Sequence, residues 1–348
     1  MANIFIHYVN WPNTKDNHAG MGYISKYLNS NDHSVILKEF RLFSFRGGRY
    51  LNLLKSLLYT IYFILRIKKG DSLFFTEYMT PGSAHQEIIA AILSKIRPDI
   101  NLIGLVHLTG NGLIKSYADR KILKNYLTKL DKIWVLGSSL KNFMIGLGID
   151  DNKIFKTFHY LDTEYYKPSN LKTTDSFNVL VQGNQLRDYN LLKEIIVQCP
   201  DINFIIMQGI QDLSHLFSDI ENVKLKGFVT ENELLVIMQN SDASLSVMED
   251  TIGSNVITTS MACGLAMVVS DVGSIRDYCN VENSRFCATK EEFVDALNFL
   301  KLHNEKCYSM KQNSRTKALN FSKEKFLKVY QEEMNRMRQD FEFKSQAY

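Results

Sequence analysis

The sequence has few cysteines, no long apolar run and only a small excess of positive charge. Its five cysteines are scattered along 348 residues without a CxxC pair, which argues against a zinc site or a disulfide framework and favours a reducing compartment. The longest apolar run, at residues 57–65, is too short to cross a bilayer. The net charge of +4 gives no indication of nucleic acid binding.

Strand and helix patterns alternate along the chain, which predicts an α/β protein with parallel sheets. The first residues, MANIFIHYVN, lack the basic and apolar regions of a secretory signal and predict a first strand, so we expect a cytoplasmic protein. The length predicts two domains. We expect a first domain at 1–166, a polar linker at 167–176, a second domain at 177–325 and a C-terminal helix at 326–348 that returns to the first domain.

Residues 251–277 predict a polar loop, a helix, a buried strand and a second glycine turn. Gly264 fits the end of the helix, and the all-apolar residues 265–269 fit a parallel strand that is covered on both faces. Ligands of open α/β sheets bind at the carboxyl ends of strands, and the free N–H groups of a helix N-terminus suit a phosphate. The loop before the helix is therefore a predicted phosphate site, formed by Gly253, Ser254, Asn255 and Val256.

Four short motifs occur in an order that is typical of one enzyme family. They are LDKIWVLGS at 130–138, LDTEYYKP at 161–168, VKLKGFV at 223–229 and MACGLAMVV at 261–269. The last is similar to a "MACGxPVV" core. Together they resemble the motifs of nucleotide-sugar glycosyltransferases with the GT-B fold, the family-4-like retaining enzymes of glycosyl transferases group 1, and the resemblance covers nearly all of the chain.

The resemblance implies two Rossmann-like, doubly wound domains that face a central cleft. The first would bind the acceptor and the second a nucleoside diphosphate sugar, which is a co-substrate rather than a cofactor. The implied reaction is transfer of a hexosyl residue, with retention, to a hydroxyl of a lipid-linked or glycan acceptor, in bacterial surface polysaccharide biosynthesis such as O-antigen (lipopolysaccharide) or capsule. No DxD-like pair stands in a suitable place, so we expect neither a bound metal nor another cofactor.

The resemblance also assigns roles to residues near the ends of predicted strands. His107 ends an apolar strand before a polar, glycine-rich loop at 109–112, where the family has a catalytic-site histidine near the donor sugar. Asn184 stands where the family has an arginine, which leaves Arg187 as the nearby cation for the diphosphate. The other implied donor-binding residues are Gly20, Gly22 and Gly183 near phosphates, and Gly227, Phe228 and Val229 beside the base.

The main departure from the family is the loss of its two glutamates. Thr251 and Thr259 occupy their positions, beside the donor sugar and the ribose respectively. Asp250, or its neighbour Glu249, could replace the first glutamate as a catalytic carboxylate after a small loop shift. Two alternatives therefore stay open: a sugar-nucleotide epimerase of the same fold, and a degenerate subunit that binds a sugar nucleotide without turnover.

Residues 38–69 combine basic and aromatic side chains around a helix that is predicted at 52–69. Such a stretch fits either a helix on an anionic membrane surface or a helix packed in the core. The resemblance favours the first, which would place the protein on the cytoplasmic face of the inner membrane as a peripheral protein.

Overall fold

The chain forms two compact units. The computed structural model describes residues 2–12, 17–169 and 176–346. Unit 1 comprises residues 1–158 together with residues 324–348, and unit 2 comprises residues 159–323.

Six strands and their flanking helices form each unit within the described residues. The strands are β1 (Ile4–Asn10), β2 (Val35–Arg41), β3 (Ser72–Tyr78), β4 (Asn101–Val106), β5 (Lys132–Val135), β6 (Ile154–Lys156), β7 (Asn178–Val181), β8 (Asn203–Gly209), β9 (Val223–Gly227), β10 (Ala243–Ser246), β11 (Ala266–Ser270) and β12 (Ser284–Cys287). The helices are α1 (Met21–Asn31), α2 (Gly48–Arg66), α3 (Gln86–Ile96), α4 (Gly110–Tyr117), α5 (Arg120–Leu127), α6 (Ser138–Gly146), α7 (Tyr189–Val197), α8 (Ser214–Phe217), α9 (Glu231–Gln239), α10 (Asn255–Ala262), α11 (Ile275–Tyr278), α12 (Lys290–Leu302), α13 (Asn304–Ala318) and α14 (Lys323–Gln346).

The sheet of unit 1 is parallel, in the order β2-β1-β3-β4-β5-β6. Both faces of such a sheet are covered, so its strands are apolar runs, as in β1, where six of seven residues are buried. The chain places β2 on one side of β1 and β3 on the other. A topological switch point therefore lies between β1 and β3, which is where open α/β sheets bind ligands.

Helix α14 packs on unit 1. Glu333 is buried, and its carboxylate lies 3.1 Å from Lys132 Nζ on β5. Arg338 donates to Ser34 Oγ at 2.8 Å, just before β2. The ring of Tyr330 packs beside Trp134 and Phe74 in the core.

The sheet of unit 2 is also parallel, in the order β12-β11-β10-β7-β8-β9. With the sheet of unit 1, it confirms the predicted α/β fold with two Rossmann-like domains. Its core includes Phe204 and Leu245 on the strands and Leu297 on α12.

The observed boundary between the units differs from the sequence prediction. Residues 159–166, which the sequence assigned to the first domain, belong to unit 2. Lys323 bonds there to the Leu161 carbonyl at 2.9 Å and to the Asp162 carboxylate at 2.7 Å, and Arg315 donates to the Tyr166 carbonyl at 2.9 Å. Most of the predicted linker, residues 170–175, lies outside the described residues.

Five of these elements were not predicted, namely α4, α8, α11, α13 and β12. The polar loop expected at 109–112 is the start of α4, because Thr109 Oγ1 accepts from the Gly112 N–H at 3.1 Å and caps the helix. Helix α13 escaped prediction because its buried stripe is narrow and partly polar, and β12 because it has only four residues.

Helix α2 buries a mostly small or polar face and exposes an apolar one. It begins at Gly48, four residues before the predicted start, and ends at Arg66. Its buried face is small or polar apart from one aromatic ring: Gly48, Asn52, Ser56, Thr60 and Phe63. Its exposed face carries Leu51, Leu54, Leu58, Ile61 and Leu65, which are between 42% and 75% exposed. This apolar stripe is therefore not packed in the core. Within the described residues, no helix is long and apolar enough to span a membrane.

Candidate active site

The switch point of the unit 2 sheet lies between β7 and β10. The chain places β8 and β9 on one side of β7, and β11 and β12 on the far side of β10. The loops after β7 and β10 meet at the carboxyl edge of the sheet, where Arg187 and Met248 form an antiparallel bridge and the Glu249 N–H donates to the Leu186 carbonyl at 3.0 Å. Because ligands of open α/β sheets bind at such a switch point, these two loops form the candidate donor site.

Arg187 brings a positive charge to this site and has no carboxylate partner in the part of the chain that the structure describes. Its Nε and Nη2 donate to the carbonyl oxygens of Gly183 and Gln182 at 3.1 and 3.0 Å. Its Nη1 is buried and has no hydrogen-bond partner. Burial lowers the pKa of the guanidinium to about 10, and the other group that acts on it is the Tyr189 hydroxyl, not an acid. A buried, unpaired cation is costly, so this geometry favours an anion beside Nη1.

Gly183 leaves space for the Arg187 side chain. Its φ is +86°, and a Cβ there would lie 2.7 Å from Arg187 Nη2 and 2.9 Å from Val256 Cγ2. Both the backbone conformation and the lack of space favour glycine. The structure thus brings together three predicted donor-binding residues, Gly183, Arg187 and Val256.

The N-terminus of α10 lies beside the same loop. Gln182 Nε2 donates to Ser260 Oγ at 2.8 Å and ties the end of β7 to α10. Ser254 is the N-cap of α10, but its hydroxyl makes no capping bond, and its Oγ is buried without a partner. A helix N-terminus carries partial positive charge and binds anions. Arg187 Nη1, Ser254 Oγ and the end of α10 are therefore suited to hold a diphosphate.

The loop before α10 has a fixed conformation that leaves no room for a side chain at Gly253. The φ of Gly253 is +94°, and a Cβ would lie 2.1 Å from the ring of Tyr278. The Gly253 N–H donates to Thr251 Oγ1 at 3.1 Å, and the Thr251 carbonyl accepts from the Ser274 N–H at 2.7 Å. Contacts within unit 2 therefore fix the shape of this predicted phosphate loop.

The two candidate carboxylates differ in their surroundings. Glu249 is exposed, whereas Asp250 is half-buried. Asp250 Oδ1 accepts from the Thr251 N–H at 2.8 Å, and a Cβ on Gly273 would lie 2.5 Å from the same oxygen. The fold therefore holds Asp250 within the loop and leaves Glu249 at the surface.

Both threonines at the positions of the family's glutamates are buried. Thr259 Oγ1 donates to the Asn255 carbonyl at 2.6 Å, so its single proton is used within α10. Its lone pairs remain available, but a neutral hydroxyl binds a ribose hydroxyl less strongly than a carboxylate does. Asn255, another predicted donor-binding residue, lies in the first turn of α10.

The predicted base-binding residues lie at the carboxyl end of β9. Gly227 ends the strand, Phe228 is 62% exposed, and Val229 is half-buried before α9. Gly227 pairs with Gly209 of β8, and the next residue there, Ile210, is 82% exposed. Two exposed apolar side chains on neighbouring strand ends suit a flat nucleobase. Ile210 was missed because a single isoleucine after a glycine gives no signal in the sequence.

Asn184 has a structural contact instead of a free side chain. Its Nδ2 donates to the Gln208 carbonyl at 3.0 Å and so fixes the end of β8. Of the two residues expected at the diphosphate, Arg187 is the one whose side chain offers an unused donor.

The predicted residues of unit 1 lie at the carboxyl edge of its sheet. His107 follows β4 and is half-buried, and its Nε2 donates to the Thr76 carbonyl at 2.8 Å. Gly20 is the N-cap of α1 with φ −88°, and Gly22 lies in the first turn of α1. Gly20 therefore does not need the conformational freedom of glycine. A buried acid beside His107, Glu77, was not found from the sequence, where it is one polar residue in a hydrophobic strand.

Comparisons with known proteins agree with this fold. Residues 189–301 match the family model of glycosyl transferases group 1. The fold is similar to that of HepE from Anabaena, solved with UDP and glucose, with a TM-score of 0.73 and 14% identity over 95% of this chain and 99% of that chain. It is also similar to sucrose-phosphate synthase from Thermosynechococcus elongatus, with a TM-score of 0.75 and 11% identity over 95% and 98% of the chains.

A third solved structure with this fold is WaaB, a lipopolysaccharide outer core galactosyltransferase, with a TM-score of 0.66 and 12% identity over 94% and 98% of the chains. No curated protein sequence matches the chain. At these identities the solved structures establish the fold, and the family model matches about a third of the chain, all of it within unit 2. The chain therefore has the GT-B fold, and its residues 189–301 are similar to glycosyl transferases group 1.

Proposed function

We propose that the protein transfers a hexosyl residue from a nucleoside diphosphate sugar, with retention, to a hydroxyl of a lipid-linked or glycan acceptor in bacterial surface polysaccharide biosynthesis. The observation that carries the donor assignment is the unpaired Nη1 of Arg187, buried in the same site as the N-terminus of α10. HepE was solved with UDP, which makes a UDP-sugar the first donor to test. The outer core role of WaaB supports the polysaccharide assignment.

In the proposed reaction, the bond from the anomeric carbon to the diphosphate oxygen breaks, and a bond to the acceptor oxygen forms on the same face. The acceptor proton passes to the departing diphosphate. Negative charge grows on that diphosphate, where Arg187 and α10 would stabilise it, and we propose that no metal cofactor is needed. Asp250, the half-buried carboxylate of this site, would stabilise positive charge on the sugar ring.

The reaction can be tested with the full chain, UDP-, GDP- and TDP-sugars, and n-octyl glycosides as soluble acceptors. The proposal predicts release of one nucleoside diphosphate that depends on the acceptor, with an octyl product whose new linkage has the anomeric configuration of the donor by NMR. Conversion of the nucleotide sugar without an acceptor would instead indicate the epimerase. Binding without turnover would indicate the degenerate subunit.

We also propose that α2 places unit 1 on an anionic membrane surface at the cytoplasmic face of the inner membrane. Leu51, Leu54, Leu58, Ile61 and Leu65 recur at spacings of three and four residues and form one exposed stripe. Residues 40–70 contain seven Lys and Arg and no Asp or Glu. Two copies of such a helix would repel each other, whereas anionic lipid supplies the opposite charge.

The distribution of charge over the chain supports this orientation. Residues 1–158 contain 21 Lys and Arg and 11 Asp and Glu, and residues 324–348 contain five of each, so unit 1 carries +10. The whole chain carries +4, which leaves −6 on unit 2. An anionic surface would therefore attract unit 1 and repel unit 2.

Vesicle flotation tests the membrane proposal. The full chain should float with vesicles of phosphatidylcholine and phosphatidylglycerol, and much less with phosphatidylcholine alone. Replacing Leu58 and Ile61 with serine should lower binding at least about 100-fold, since each buried side chain contributes roughly 1.5–3 kcal/mol. Ile122→Ser, at a similarly exposed residue of α5, is the control. Equal flotation of all variants would contradict the proposal.

A further inference from the structure

The switch point of the unit 1 sheet holds a polar contact that the donor chemistry does not use. Trp11 directly follows β1, and Glu77 lies near the carboxyl end of β3, the neighbouring strand. The indole Nε1–H donates to Glu77 Oε1 at 3.3 Å. This contact therefore marks the position at which an open α/β sheet binds its ligand.

Glu77 is held in place by its surroundings. Glu77 is buried, and its backbone N–H donates to Gln86 Oε1 at 3.0 Å. Gln86 in turn donates through Nε2 to the His7 carbonyl at 2.9 Å, which links α3 to β1. These bonds tie the backbone of Glu77 to α3 and β1, and the bond from Trp11 holds its carboxyl group.

The charge of Glu77 is poorly compensated. Burial raises the pKa of the carboxyl, and the nearby His107 and the bond from Trp11 oppose this effect. Among the described residues, no Lys or Arg is one of the groups that act on it. A desolvated carboxylate is a strong hydrogen-bond acceptor, so a ligand that offers hydroxyl donors gains from contact with it.

Trp11 places a partly exposed aromatic ring beside this carboxyl group. It is 36% exposed although it bonds to a buried residue, so part of its ring faces solvent. A flat aromatic face packs on the apolar C–H face of a sugar ring, while a carboxylate and an imidazole beside it accept or donate hydrogen bonds to the hydroxyls. Trp11, Glu77 and His107 come from the ends of three adjacent strands, β1, β3 and β4.

We propose that Trp11, Glu77 and His107 form a carbohydrate-binding site in unit 1, in which Trp11 stacks on a sugar ring and Glu77 accepts a hydrogen bond from one of its hydroxyls. That this sugar belongs to the acceptor rests on the proposed function. The binding itself does not, because no nucleotide takes part in it.

Intrinsic fluorescence tests the site directly, because the chain has two tryptophans and Trp134 is fully buried. The full chain is titrated with the methyl glycosides of glucose, galactose, mannose and N-acetylglucosamine. We expect a saturable change in emission with at least one of them, and no change in Trp11→Phe. Glu77→Gln, which keeps the size and the bond from Trp11, should weaken the binding at least tenfold. Glu39→Gln, at the end of β2, is the matched control and should bind as the wild type does.

Flat titrations with all four sugars, a change that persists in Trp11→Phe, or equal affinities of the two glutamine variants would overturn the proposal. UDP affinity, measured in the same samples, separates this outcome from failure of the proposed function. Sugar binding without nucleotide binding would refute the transferase assignment and leave the carbohydrate site. Nucleotide binding with flat sugar titrations would refute the carbohydrate site and leave the transferase assignment.

Discussion

Replacing Arg187 with alanine should abolish most of the donor affinity. The change removes a guanidinium whose Nη1 is buried without a partner and whose other nitrogens fix its direction through the Gly183 and Gln182 carbonyls. A hydrogen bond between a charged group and a phosphate contributes about 1.5–3 kcal/mol. The Kd for UDP should therefore rise roughly 10- to 150-fold.

Isothermal titration calorimetry with UDP measures this change. Arg285→Ala is the matched control, because it removes an exposed guanidinium of unit 2 that packs over the Phe299 ring at 4.6 Å. Its Kd should equal that of the wild type. Arg187→Lys keeps the positive charge but lacks the planar guanidinium that can bond to two carbonyls and a phosphate at once. Its Kd for UDP should therefore lie between those of the wild type and Arg187→Ala.

The same variants separate a binding role from a structural one. Without ligand, Arg187→Ala loses two hydrogen bonds but also removes a buried cation without a counter-ion, so its free energy of unfolding should change by about 1 kcal/mol or less. An unchanged Kd for UDP in Arg187→Ala would refute the argument. An equal loss of affinity in Arg285→Ala would refute it as well.

Three further predictions concern the site and the core. Asp250→Asn should slow transfer about 100-fold and Glu249→Gln far less, measured as initial rates, and the opposite ranking would reject Asp250 as the replacement carboxylate. Gly253→Ala should destabilise unit 2 by roughly 2–4 kcal/mol in urea unfolding, because its φ is +94° and a tyrosine ring fills the space, while Gly146→Ala, with nothing near its Cβ, should not. Burial lowers the pKa of His7 to about 3, below its unfolded value of 6.5, and a nearby lysine has a smaller effect in the same direction. The unfolded state therefore binds the extra proton, and the free energy of unfolding falls as the pH drops through this range. The loss at pH 4.5 should be roughly 2–3 kcal/mol and should be largely absent in His7→Asn, as urea unfolding at pH 4.5 and 7.5 can show.

Local patterns in the sequence determine much of the fold and of the donor site. The all-apolar strand at 265–269, the glycine after α10 and the order of the motifs predict the unit 2 sheet because each depends on neighbouring residues. Arg187 could be singled out for the same reason, since it was the one cation near the end of β7. Its unpaired Nη1 could not, because it depends on contacts made by the folded loop.

Features that depend on distant contacts were not predictable. Trp11 and Glu77 are 66 positions apart, and they meet because β1 and β3 are neighbours in the sheet. The sequence does not show which face of α2 is buried, because its apolar stripe is as regular as that of a core helix. The structure decides the question by burying Asn52, Ser56 and Thr60 instead.

The central claim is that the carboxyl edge of the unit 2 sheet binds a nucleoside diphosphate. A thermal-shift comparison of UDP, GDP, TDP and CMP on the full chain and on Arg187→Ala tests it most directly. A ligand at 100 times its Kd stabilises the folded state by about 2.7 kcal/mol. The account predicts a clear rise in Tm with one diphosphate, none with CMP, and a much smaller rise in Arg187→Ala. No rise with any diphosphate, or the same rise in both proteins, would contradict it.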